Sequence, residues 1–277
     1  MTNKTPTVAR FIDTHAHLES EQFDGQQNLI IQTALDIGVQ KVIAVGCTWG
    51  SSQKSLYLAK EHEHVFAAVG IHPNYCSTAT DHDWKRILAM LDHPKVVALG
   101  ETGLDRYWDY APFELQQKYF DRHIRTSQKT GLPFIVHMRQ CEQEILEMLT
   151  EARRRGPLRG VMHSFTGDAG MASNCLDLGM YISFAGMVTF KKNDALREVA
   201  AMIPANRILL ETDCPYLSPH PCRSKRPNHP AMLVHTAQCV ADVRGVSLQE
   251  LGIQSTQNAY DLFSKLGGNG DNAKSKA

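Results

Sequence analysis

ARFIDTHAH, residues 9–17, is the stretch that decides the fold. Its first part, 9–13, is a short apolar run of the kind that forms a strand covered on both faces. A doubly wound nucleotide-binding sheet would carry a glycine-rich phosphate loop directly after such a strand; this chain has His15-Ala-His17 there instead. The open doubly wound sheet is therefore the second choice. Similar runs recur at 41–46 (KVIAVG), 65–72 (VFAAVGIH), 96–101 (VVALGE), 133–137 (PFIVH), 160–163 (GVMH), 181–184 (YISF) and 207–211 (RILLE). Amphipathic patterns lie between them. Leu115, Tyr119, Phe120 and Ile124 make one helical stripe, and Ile145, Met148, Leu149 and Ala152 another. Ala259, Leu262, Phe263 and Leu266 close the chain. Eight strands alternating with helices, without interruption, predict a single-domain α/β protein, a (β/α)₈ TIM-type barrel over residues 10–266. Residues 1–9 are expected to be flexible. The polar, glycine-rich tail 267–277 (GGNGDNAKSKA) is expected to be disordered.

Bulk properties narrow the function. Of 277 residues, 43% are hydrophobic and 21% charged, the balance of an ordinary globular chain. No apolar run approaches the roughly 20 residues that span a bilayer, and no signal-type segment opens the sequence. A cytoplasmic location and no membrane partner are expected. Seven cysteines without a CxxC pair argue against a disulfide framework or a cysteine zinc site. Twenty-nine basic residues balance 29 acidic ones, which speaks against a tight, non-specific grip on long duplexes. A site that handles one phosphate at a time remains compatible with that balance.

The chemistry sits at the strand ends. The first strand runs into His15 and His17, the third ends at His72, the fourth at Glu101, the fifth at His137 and the sixth at His163; the eighth runs into Asp213. In a (β/α)₈ barrel these ends converge on one mouth. His15 and His17 are two residues apart, so on an extended strand they face the same way. A lone HxH is weak evidence. HxH joined by further ligand-type groups at successive strand ends is strong. Read as ordinary buried polar residues, the same groups would be titratable side chains without partners, which is costly. For His62, His64, His82, His93, His123 and His235, in helices or loops, the ordinary reading stands. The expected metal ligands are His15, His17, Glu101, His137, His163 and Asp213. Two divalent ions suit this set, with Glu101 as the bridge. His15, His17 and Asp213 would hold one ion, and His137 and His163 the other. Asp213 and Glu101 are the expected catalytic residues, Asp213 orienting the attacking water and accepting its proton. Mixed N/O ligands favour Zn, Mn, Fe or Ni over Ca, with Mg less natural beside histidine.

The segments FIDTHAHL (11–18), GIHP (70–73), GETGLD (100–105), GLPFIVHMR (131–139), HSFTG (163–167) and LLETDCPYL (209–217) resemble, in order, the motifs of the TatD family. These are metal-dependent deoxyribonucleases of the amidohydrolase superfamily. The resemblance covers almost the whole chain and implies a TIM-type barrel, two divalent ions (Mg, Mn or Zn) and phosphodiester hydrolysis. It further implies 3′-to-5′ exonuclease activity on DNA; RNA is kept beside DNA as an expected substrate. It places His72 beside the site, either against substrate phosphate or in a structural hydrogen bond. Two departures from the family pattern bear on substrate preference: His229 stands where glutamate is expected, and Gln140 follows Arg139 where aspartate is expected.

Phosphate calls for cations beyond the metals. Arg139, Arg223, Lys225 and Arg226 fall in loops at the expected mouth; Arg139 and Arg226, with His72, are the expected substrate-binding residues. Each is equally readable as a solvated surface charge. Tyr107, Trp108 and Tyr110 suit either base stacking at the rim or loop packing. The expected partner is DNA, as single strands or ends, and the expected state a monomer. Because one hydroxide attacks carbon or phosphorus alike, an amidohydrolase-like enzyme on a small amide, ester or lactone stays open, as does a non-catalytic metal protein.

Overall fold

The computed structural model describes residues 9–267; the expectations for 1–8 and 268–277 lie outside the described residues. Eight strands form one parallel sheet in chain order: β1 Phe11–Ala16, β2 Val39–Val45, β3 Val65–Val69, β4 Val96–Asp105, β5 Phe134–Arg139, β6 Gly160–Met162, β7 Tyr181–Phe184 and β8 Ile208–Leu210. Each overlaps one of the apolar runs. The helices are α1 Gln27–Asp36, α2 Trp49–Glu61, α3 Asp81–Met90, α4 Phe113–Thr130, α5 Glu142–Arg155, α6 Ala169–Asp177, α7 Asp194–Met202, α8 Leu233–Arg244 and α9 Leu248–Leu262. The sheet closes where β8 returns to β1. The amide of Asp213 donates to the carbonyl of His15 (2.9 Å), and that of His17 to the carbonyl of Cys214 (2.7 Å). The fold is the expected (β/α)₈ barrel. Among the described residues no helix is long and apolar enough to cross a membrane.

Two apolar clusters hold the barrel. The larger lies between sheet and helices. The smaller fills the interior with Ile12, Ile43, Val97, Ile135, Val161 and Leu209, and the last residue of α9, Leu262, is joined there by Phe263 and Leu266 from the turn that follows. Strand interiors of this kind are packed, so the only room for chemistry is above them, at the C-terminal ends.

Two irregularities set the aim of the site residues. Ile12 faces the interior, and strict alternation would put His15 on the outside. A register shift in the β1–β2 ladder between Asp13 and Ala16 resets the phase and turns both histidines inward. β4 runs four residues past the expected end, with a register shift between Leu99 and Thr102. Gly103, at φ +134°, lets β4 pass β5 so closely that a Cβ there would lie 2.0 Å from the His137 carbonyl oxygen.

Candidate metal centre

Glu101 is the hub. It is buried at the end of β4, and its two oxygens face different imidazoles. Oε1 lies 2.8 Å from His163 Nε2, 2.9 Å from His137 Nδ1 and 3.4 Å from His72 Nε2. Oε2 lies 3.4 Å from His15 Nε2 and 3.7 Å from His17 Nε2. Asp213 completes the second group, its Oδ1 being 3.5 Å from His17 Nε2 and 3.9 Å from His15 Nε2. Asp213 adopts φ +54°, a left-handed conformation unusual for a residue with a side chain, which fits a position fixed by function. All six expected ligands meet at one place, and His72 joins them.

The surrounding hydrogen bonds fix which nitrogen of each ring carries the proton. His17 Nδ1 donates to the Val45 carbonyl at 3.0 Å, so its Nε2 lone pair points at Glu101 and Asp213. His163 Nδ1 donates to Glu211 Oε1 at 3.2 Å, so its Nε2 lone pair points at Glu101 Oε1. A neutral lone pair facing a carboxylate 2.8 Å away is repulsive unless a cation or a second proton lies between. His15 also has a buried Nδ1 without a partner. Three sets of donors lie close enough for one ion each: His15, His17 and Glu101; His15, His163 and Asp213; and His72, Glu101 and His137. The residues present fit divalent metal.

His72 differs from the other rings. Its Nδ1 accepts the Asn74 amide at 3.0 Å, so the proton sits on Nε2, which points at Glu101 Oε1. The ring is therefore a hydrogen-bond donor toward the centre. Burial pushes its pKa down, against the pull of Glu101. Burial also opposes charge on Glu101, but the surrounding imidazoles of His163, His72, His137 and His15 hold its carboxyl well below the usual range. Burial opposes charge on Asp213, but the imidazoles beside it, His17 above all and then His15 and His163, hold its carboxyl below the usual value.

Several neighbours carry no signal of their own in the sequence reading. Asp105, four residues beyond Glu101, accepts from His137 Nε2 at 3.0 Å and from the Asn74 amide group at 3.3 Å. Glu211, two residues before Asp213, holds both His163 and the amide of Ser164. Both lie inside the quoted motifs, and their even spacing from a ligand was the available clue. Cys47, just past β2, has its thiol 3.8 Å from Glu101 Oε2, so that strand too contributes a polar group; a cysteine ending an apolar run reads as core and gives no warning. Asp13 is fully buried, accepts from Thr212 at 2.6 Å, and is pushed by burial up to about 7.

The other two expected substrate residues stand apart. Arg139 is exposed, with its guanidinium 3.6 Å from the centre of the Tyr107 ring. Arg226 is exposed in the loop between β8 and α8. Among the described residues, neither guanidinium forms a hydrogen bond or ion pair with the six central side chains.

A closed barrel whose mouth gathers histidines and carboxylates around one shared glutamate defines a metal-dependent hydrolase of the (β/α)₈ class. Within that class the chain belongs to the family described as TatD related DNase, whose pattern matches residues 12–264. An uncharacterized metal-dependent hydrolase of Bacillus subtilis, YabD, is 36% identical over 251 residues, covering 91% of this chain and 98% of its own. A protein of Enterobacter lignolyticus named 3′-5′ ssDNA/RNA exonuclease TatD is 31% identical over 255 residues, covering 91% and 98%. The crystal structure of the TatD homologue YjjV from Escherichia coli K12 superposes with a TM-score of 0.86 at 30% identity, covering 93% of this chain and 99% of that one.

Proposed function

We propose that the protein is a two-metal phosphodiesterase that trims DNA from 3′ ends, with RNA as a second substrate. The observation that carries this reading is the division of Glu101, one oxygen toward His15 and His17 and the other toward His137 and His163. A bridging carboxylate between two cation sites is the arrangement suited to in-line displacement at phosphorus. Divalent ions, if held by these residues, would supply positive charge for the ester oxygens and lower the pKa of an attacking water. Asp213 would orient the attacking water and take its proton. His72 offers its Nε2 hydrogen to a phosphoryl oxygen. Arg139 and Arg226, on opposite parts of the rim, suit binding of flanking phosphate. The exposed aromatics Tyr107, Trp108 and Tyr110 support a substrate with bases over a small amide or lactone.

The test is a labelled single-stranded oligonucleotide incubated with protein loaded with Mg, Mn or Zn. Stepwise shortening from the 3′ end is expected. Asp213→Asn should lower kcat by roughly 10²–10⁴-fold, the range for losing a positioned proton acceptor, with an unchanged circular dichroism spectrum. Glu101→Ala should abolish turnover with metal content reduced. Turnover of lactones or amides without any oligonucleotide cleavage would replace this reading with the small-molecule one.

A further inference from the structure

The mouth of the barrel is not uniform around its rim. On the β4–β5 side stand Tyr107, Trp108 and Tyr110, all exposed, with the last two rings stacked at 5.3 Å and Arg139 laid over the first. Four strands away, across the mouth, the loops after β7 and β8 are packed together. The His220 amide donates to Thr189 Oγ1 at 2.8 Å, and the Arg223 guanidinium lies 3.8 Å from the centre of the Phe190 ring. This joint surface carries Lys191, Lys192, Arg223, Lys225 and Arg226, all exposed except the half-buried Arg223. Among the described residues none of the five has a carboxylate within ion-pair distance. By contrast Arg106, on the β4–β5 wall of the same rim, is paired with Glu144, Arg197 beside the loop after β7 is paired with Asp194, and Arg122, Arg125 and Arg155 elsewhere also hold acidic partners. In a chain with no net charge, this clustering creates a local positive field at the mouth.

We propose that the loops after β7 and β8 form a track for the sugar-phosphate backbone of a single-stranded nucleic acid, beyond the ester being cleaved. The inference rests on the phosphodiesterase reading of the centre. Loops after the seventh and eighth strands are where (β/α)₈ barrels commonly bind phosphate. A strand lying across the mouth meets cations with its phosphates on one wall and aromatic rings with its bases on the other. Bases inside a duplex are already stacked and paired, so only unpaired nucleotides use both walls. The cations read charge rather than sequence, and each phosphate they neutralise releases counterions.

The experiment measures binding of oligothymidylates of graded length to the full chain in chelator, as a function of salt. Wild type is compared with the triple variant Lys191→Ser, Lys192→Ser, Lys225→Ser. Loss of three phosphate contacts at about 0.7 each should make the slope of log affinity against log salt shallower by about 2. Affinity for the longer oligomers should fall most. Hydrolysis of bis(p-nitrophenyl) phosphate by the metal-loaded protein, a diester too short to reach the loops, should be unchanged. Equal slopes in the two proteins would overturn the track, as would an equal loss on the small diester. Failure of wild type to hydrolyse either substrate would instead remove the phosphodiesterase reading, and the salt slope would still decide the track.

Discussion

His123 lies outside the metal centre and shows how one ring's tautomer supports the strand ends. It sits fully buried on α4, accepting the Ile71 amide at 3.2 Å and holding the Tyr119 carbonyl through Nδ1 at 2.7 Å. It thereby ties Ile71, two residues past β3 and one before His72, to the helix outside. A second proton would break the bond from Ile71, and burial pushes the ring's pKa down to about 4. The unfolded chain titrates near 6.5, so between about pH 6.5 and 4 the unfolded state binds the extra proton and the folded state does not. Stability from this residue is fully present above pH 6.5 and falls as pH drops through that window, by roughly 3 kcal/mol in all. Urea midpoints of wild type and His123→Gln across that range should converge as pH falls, and parallel curves would refute the assignment. The six central residues were legible because imidazole and carboxylate groups are rare at successive strand ends. Asp105 and Glu211 were not, because a carboxylate that orients an imidazole looks like any other until the ring is placed beside it.

At the level of elements, the strands could be read because parallel barrel strands are apolar on both faces and stand out as unbroken runs. Their irregularities could not. The register shift that turns His15 inward has no marker in FIDTHAH, and the glycines of β4 look like strand breakers. Gly103 is instead where two backbones nearly touch. Gly103→Ala should cost about 3 kcal/mol, because its Cβ would strike the His137 carbonyl in a conformation that already disfavours a side chain. Gly131→Ala, at φ +76° with nothing within 4 Å of a Cβ, should cost only about 1 kcal/mol. Chemical denaturation of the pair separates close approach from left-handed strain, and similar losses in both would argue that approach plays no part. Gly103→Ala should also weaken metal binding, because it moves the strand carrying Glu101 against the one carrying His137.

For the molecule as a whole, the centre joins residues from His15 to Asp213, so any ion bound there ties together nearly the full barrel. Metal that binds only the folded state stabilises it by mass action, about 2.7 kcal/mol at a hundredfold excess over Kd. Thermal midpoints of stripped protein should rise on adding Mn or Zn, and Glu101→Gln should suppress the rise. A wild-type midpoint indifferent to Mg, Mn and Zn would count against the centre. Composition alone concealed the division of the rim, because 29 charges of each sign cancel in the sum while their placement does not.

The seal of the lower barrel has a consequence for biosynthesis. Leu262, Phe263 and Leu266 cap the interior, and β1 finds its last neighbour only after Asp213 and Cys214 exist. A nascent chain emerging from the ribosome therefore keeps an open sheet edge and an unstoppered apolar lumen until nearly all of it has been translated. Premature termination before Leu262 would yield a polypeptide prone to aggregation and dependent on chaperones, even with every metal-binding side chain already in place.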